Sequence, residues 1–340
     1  MKSRILVICL TLICSIITLC ACNSADKREN TLNDKAATSE PVAEKTALID
    51  SEEFFELKGD TLVKYKGGFL KAGKIVLPKQ VKRIGKKAFV LNAKEKSIPV
   101  GQLSQVELSI PTDVKLDKGA FTSMGPMKVT FEEGRKLIDE SAFCGAINDG
   151  HRYESEVYLP SSIEVLKKHC FNTLEWLHVH LNEGVQVVEE YALQGCDIDS
   201  LPDSIRELKD YAVGVCAIKD GHLPTSLESM GNQSLICSYG KVKISKDVKN
   251  ISSTSIVWDE ETCDTNIGYE VDSENKYYKS DKNGWLYTKD GKTLIYADLE
   301  DTGYTIPKGV KTVYKKGLFV GSQLDFRVKI KGLDGMKVIK

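Results

Sequence analysis

Large apolar residues return along this chain at fixed offsets, separated by polar runs of nearly constant length. Residues 159–171 read LPSSIEVLKKHCF, 181–193 read LNEGVQVVEEYAL and 201–213 read LPDSIRELKDYAV. Aligned on the apolar residue before the proline-like position, nine such units run from about residue 75 to residue 321. They begin at Leu77, Ile110, Phe131, Leu159, Leu181, Leu201, Leu223, Ile244 and Ile306. A second apolar column holds Val81, Val114, Ile163, Val185, Ile205, Leu227, Val248 and Val310, with Arg135 as its one charged member. The third column holds Ile84, Leu116, Ile138, Leu166, Val188, Leu208, Met230, Ile251 and Val313.

Four residues beyond the third column stands a small residue, from Ala88, Ala120 and Ala142 to Ser255 and Gly317. An apolar one follows at once: Phe89, Phe121, Phe143, Phe171, then Leu193, Val213, Leu235, Ile256 and Leu318. The small side chain lets the backbone turn close to the core, and the large one fills the space beneath. Most units are 20–22 residues apart, a solenoid period too short for a helix pair. Alternation within Ile75/Leu77, Val157/Leu159, Val179/Leu181 and Val242/Ile244 predicts short strands with one buried face. Proline then closes the strand where a lost N–H costs least. One unit cannot bury its own inward residues, so neighbours must supply the partner surface. The predicted fold is a β-rich solenoid of about nine units whose strands stack in parallel.

The string LP-x-x-V/I-x-x-I/L-x-x-x-A-F resembles the BspA-like leucine-rich repeat of treponemal type, over residues 75–321. That resemblance implies an exported or surface-exposed binding protein, as several adhesins of the family are, and it implies no particular ligand. The last five units depart from it by replacing Phe with Leu, Val or Ile, and looser stacking is expected there.

The first residues belong to a different class. Lys2 and Arg4 precede an apolar run over residues 5–19, and Leu19-Cys20-Ala21-Cys22 follows. This resembles a bacterial lipobox, with small side chains for the peptidase groove and Cys22 as the thiol that takes the lipid. An uncleaved anchor helix is the alternative, since the run is close to the ~17-residue minimum for spanning. Residues 23–49 are polar and poor in large apolar side chains, the composition of a disordered tether, with a brief helix near residues 42–48 left open. The predicted organisation is a signal peptide over 1–21, a lipidated tether over 22–50 and a repeat domain over 51–340. An aromatic hairpin insertion is placed at about 257–303, where WLYT and TLIY flank Lys289-Asp290-Gly291-Lys292, a strong hairpin-turn signal.

Composition narrows the function. With 47 Lys+Arg against 48 Asp+Glu, no global field favours nucleic acid, and none is expected as a partner. GxSxG, HExxH and GxGxxG are absent, so no catalytic residues and no cofactor are predicted. Of the cysteines beyond Cys22, Cys196 and Cys216 occupy equivalent places in adjacent units. Buried thiols are the favoured reading, with a Cys196–Cys216 disulfide as the alternative in an exported chain. His178 and His180 share one strand face, but the sequence offers no evident third ligand, so no metal is expected.

Along the outward position of the first strand, Tyr158, His180 and His222 combine stacking with hydrogen bonding, which interfaces favour. These three are the predicted ligand-binding residues. Trp285 on the hairpin is added as a lesser contributor, packing on the solenoid flank being the favoured role of the hairpin aromatics. The expected partners are the membrane, through the lipid on Cys22, and a protein or glycan. A scaffolding role in the cell envelope is the alternative function.

Overall fold

The computed structural model describes residues 47–146, 153–173, 176–216, 222–237, 241–258, 268–299, 305–319 and 331–339. The predicted signal segment, Cys22 and the tether up to residue 46 lie outside them. Among the described residues no helix is long and apolar enough to cross a membrane.

Successive repeats stack short strands into parallel ladders. The first ladder runs Leu48–Ile49, Gly73–Ile75, Val106–Ile110, Met127–Phe131, Ser155–Tyr158, Leu177–His180. The second runs Leu137–Ile138, Val165–Leu166, Val187–Val188, Glu207–Leu208, Ser229–Met230. Thr61–Tyr65, Arg83–Ile84 and Lys115–Leu116 pair in parallel in the matching sheet nearer the N-terminus, edged by the antiparallel Phe55–Lys58. The register follows the sequence columns. Val157 pairs with Val129 and Val179, and Leu166 pairs with Ile138 and Val188. A slip of one residue would turn every one of these side chains into water. Leu48–Ile49, assigned to the tether by its composition, is the first rung and pairs with Lys74 and Ile75, so the folded domain begins before residue 51.

The inner columns are buried along their length, with Ala88, Ala120, Ala142, Cys170, Ala192, Ala212, Ser234 and Ser255 all inside. Beneath them Phe89, Phe121, Phe143 and Phe171 form a continuous ring stack, with successive centroids 5.2, 4.2 and 5.1 Å apart. Where the small column carries a hydroxyl, a backbone carbonyl accepts from it: Ser255 for Ser234 Oγ, Met230 for Ser255 Oγ, both at 3.2 Å. Gly317 closes the column because an added Cβ would stand 1.8 Å from Ile295 O. Arg135 is buried too. Its guanidinium is satisfied by Val114 O at 2.8 Å, Leu137 O at 3.0 Å and the Asp139 carboxylate, which is how a cation fits an apolar column.

The residue before the small column is left-handed in seven successive units. It is Lys87, Gly119, Ser141, His169, Tyr191, Tyr211 and Gln233, with φ between 46° and 74°. Only one of the seven is glycine, although this region costs an L-residue roughly 1–2 kcal/mol. The conformation reverses the chain into the core and, Ser141 apart, leaves the side chain at least partly outside.

The aromatic insertion is part of the stack rather than an appendage. Gly268–Val271 pairs in parallel with Lys241–Ile244, the first strand of the preceding unit, with Val271 beside Ile244. Four residues on, in the place of the second apolar column, stands the buried Asn275. Its Nδ2 donates to Ser245 O and Val248 O, and its Oδ1 accepts from Tyr277 N and Tyr278 N, all at 2.8–3.0 Å. The predicted hairpin forms from Leu286–Thr288 and Thr293–Asp298, with Gly291 left-handed in its turn. Thr293–Asp298 then pairs in parallel with Thr312–Tyr314 and Leu318–Phe319. One more repeat therefore lies inside the insertion, hidden by its polar second column.

Candidate binding face

On the first ladder, Val129, Val157 and Val179 point inward and their neighbours point out. The outward grid is Lys128 and Thr130, then Glu156 and Tyr158, then His178 and His180. The Tyr158 ring stacks on His180, centroids 4.0 Å apart and 15° from parallel. His180 stacks in turn on His178 at 4.3 Å, and Lys128 Nζ lies 4.8 Å from the centroid of Tyr158, within cation–π range. Tyr158, His178 and His180 are half-buried.

The predicted residues are brought together only in part. Tyr158 and His180 form one stack. His222 is exposed and pairs elsewhere, with Lys243 Nζ 3.0 Å from its Nε2 and a parallel bridge between the two residues. Trp285 is corrected outright. It is 2% exposed, donates from Nε1 to Asp298 O at 2.9 Å and belongs to the core of the C-terminal rungs. Of the insertion's aromatics Tyr269, Tyr278, Tyr287 and Tyr296 are buried as well, whereas Tyr277 is 46% exposed.

The expectation that no carboxylate accompanies the histidine pair is also wrong. Asp199, from the following coil, reaches His178 Nε2 with Oδ1 at 3.1 Å and His180 Nδ1 with Oδ2 at 3.0 Å. Partial desolvation pushes the Asp199 carboxyl up, but the His180 hydrogen bond and the charges of both imidazoles outweigh it and hold it below the usual range. His180 Nε2 is buried with no hydrogen-bond partner; the nearest carboxylate, Glu156, is 3.9 Å away.

Two other surfaces frame this one. Beside the second ladder and the matching N-terminal sheet, charges from successive units neutralise one another: Lys82 with Asp113 and Lys136 with Glu164, both at 2.5 Å, Lys167 with Glu189 at 3.0 Å, and Lys249 with Glu228 at 2.7 Å. The left-handed column carries a second ring stack, His169–Tyr191–Tyr211, with both spacings 4.8 Å. Burial, then Lys168 and Lys118, lowers the His169 pKa. Residue spacing holds a signal for this stack, because all three aromatics directly precede the small column.

Among the cysteines, Cys170 is buried and its thiol is pushed well up by burial and then by Cys196. Cys196 is buried with Sγ 3.4 Å from Leu193 O. The Cys216 side chain lies outside those described, as does Cys263.

The sequence profile of the BspA type Leucine rich repeat region matches in six copies, over residues 68–199 and 169–257. No curated protein shows significant similarity. Among solved structures, a leucine-rich repeat protein from Eubacterium ventriosum is 24% identical, with 54% of this chain and 49% of that one covered and a TM-score of 0.38. A leucine rich cell surface protein from Faecalibacterium prausnitzii is 19% identical, with 77% and 65% covered and a TM-score of 0.34. The pneumococcal vaccine antigen PcpA is 14% identical, with 75% and 54% covered and a TM-score of 0.30. The chain thus spans between about half and two thirds of the length of these structures.

Proposed function

The chain belongs to the BspA-type leucine-rich repeat family, and from that premise we propose that it is an exported, lipid-anchored surface protein that binds a protein or glycan through the outward face of its first ladder. The observation that carries the reading is the contrast between two outer surfaces. Charges beside the second ladder and its N-terminal counterpart are matched between neighbouring units, and such self-paired groups lose their partners if a ligand intrudes. The first ladder instead presents Tyr158 and His180 already stacked. Rings held in place lose little rotamer freedom on binding, and that loss is a main cost of association. Binding, not catalysis, is the role this face suits.

The anchor rests on Leu19-Cys20-Ala21-Cys22 behind a basic start and an apolar run. Cys22→Ala is expected to abolish metabolic palmitate labelling and detergent-phase partition; wild type without label would remove the lipoprotein reading. Surface exposure is tested by adding protease to intact cells. Shaving of the repeat domain supports the binding role, and a protected domain in cells with an intact envelope favours the scaffold instead.

A further inference from the structure

We propose that His178, His180 and Asp199 form a binding site for a first-row divalent cation of the zinc type. Two imidazoles and a carboxylate are the donors such an ion takes, with bonds of about 2.0–2.2 Å, and this set leaves a fourth tetrahedral position open. The three residues offer ligand atoms that all lie within 4.8 Å of one another. Two ligands of a tetrahedral ion with such bonds stand about 3.3–3.6 Å apart. The carboxylate-to-imidazole distances, Oδ1 to His178 at 3.1 Å and Oδ2 to His180 at 3.0 Å, are within about half an ångström of that. His178 and His180 project from one strand on the same face, and Asp199 is 62% exposed on the coil above them.

The orphaned nitrogen of His180 is an independent pointer. With its Nδ1 turned to Asp199, the ring leaves Nε2 buried and unpartnered, 3.9 Å from Glu156 Oε1. A ligating histidine generally donates its other ring N–H to a carboxylate. An ion on Nδ1 puts the proton on Nε2, where a small rotation of Glu156 accepts it. The same ion replaces the two imidazole hydrogen bonds of Asp199 with a stronger electrostatic partner. Tyr158, stacked on His180, holds the ring's plane. The site is complete within this chain, so it stands or falls separately from the proposed partner.

The test is calorimetric titration of the full chain, in detergent and under reducing conditions, with Zn²⁺, alongside the absorption spectrum with Co²⁺. One equivalent is expected at this site, with cobalt d–d bands and no thiolate-to-metal charge transfer. His178→Gln and Asp199→Asn should each weaken it more than tenfold, and Glu156→Gln by about tenfold as an outer-shell partner. Thermal melts of the metal-free variants check that each is folded. No binding by the wild type, affinity unchanged in the folded His178 and Asp199 variants, or a thiolate charge-transfer band as the sole cobalt signature would each overturn the proposal.

Discussion

The rings of Phe121 and Phe143 lie 4.2 Å apart and 3° from parallel, the tightest step of a four-ring column running through consecutive units. Neither ring has any exposed surface. Each fills space for both neighbours, so truncating one opens a gap that two units share and neither can close by itself.

Phe143→Ala is therefore expected to cost about 3–5 kcal/mol, the range for large-to-small changes at buried aromatics. Glu164→Ala, next along the chain to the buried Ile163 but paired only with exposed Lys136, should cost under about 0.5 kcal/mol. Urea unfolding of the two variants compares them directly. Equal midpoints would mean that the columns have been assigned to the wrong face.

Asn275 gives a sharper test, because the repeat pattern asks for an apolar residue at its position. Replacing it with alanine strands two carbonyls and two N–H groups in the core, each worth roughly 1–3 kcal/mol when left unsatisfied. Asn275→Leu restores the apolar type and makes none of the four bonds. Both variants should lower the melting temperature. A stabilised Asn275→Leu would show that this rung follows the ordinary column after all.

The repeat was legible because steric demand inside a solenoid recurs at each unit, and recurrence is visible in one sequence. Features that hydrogen bonding settles were not. The rung at Gly268–Val271 escaped because Asn275 meets its column's requirement with four bonds instead of apolar area. Arg135 looked like a dissenter and is a satisfied core residue for the same reason. The left-handed column has no residue signature, since Lys87, Ser141, Tyr191 and Gln233 adopt the conformation glycine would advertise. Trp285 was misplaced because aromatics that pack and aromatics that bind share a composition. Asp199 joins His178 and His180 only once consecutive coils are stacked, 19 to 21 residues of chain being folded into a 3 Å contact.

Glu228 supplies a pH prediction. Hydrogen bonds from Lys249 and then Arg206 hold its carboxyl down at about 2. A depressed folded-state pKa contributes stability fully above the unfolded carboxylate range, near 4.3, which is lost as pH falls toward the folded value. Glu228 should thus titrate near 2 by carbon-detected NMR, and Lys249→Met should move the midpoint upward. A wild-type midpoint already at the ordinary value would mean that the bridge between units is open in solution.

Two ring stacks compete for the role of contact surface, and substitution can tell them apart. Tyr158 and His180 lie on the first ladder, while His169, Tyr191 and Tyr211 lie on the left-handed column. The first set is favoured because Lys128 and Glu156 border it with side chains able to hydrogen-bond a partner. His222 stands apart beside Lys243 and is included to measure how far the contact extends. The triple variant Tyr158→Ala/His180→Ala/His222→Ala should weaken binding of a surface-captured partner by at least tenfold, as loss of a central aromatic does. For the other stack asparagine is the better replacement, because it tolerates positive φ where alanine adds strain. His169→Asn/Tyr191→Asn/Tyr211→Asn should leave affinity within about twofold. The reverse result, with both variants folded by circular dichroism, would move the binding surface to the left-handed column.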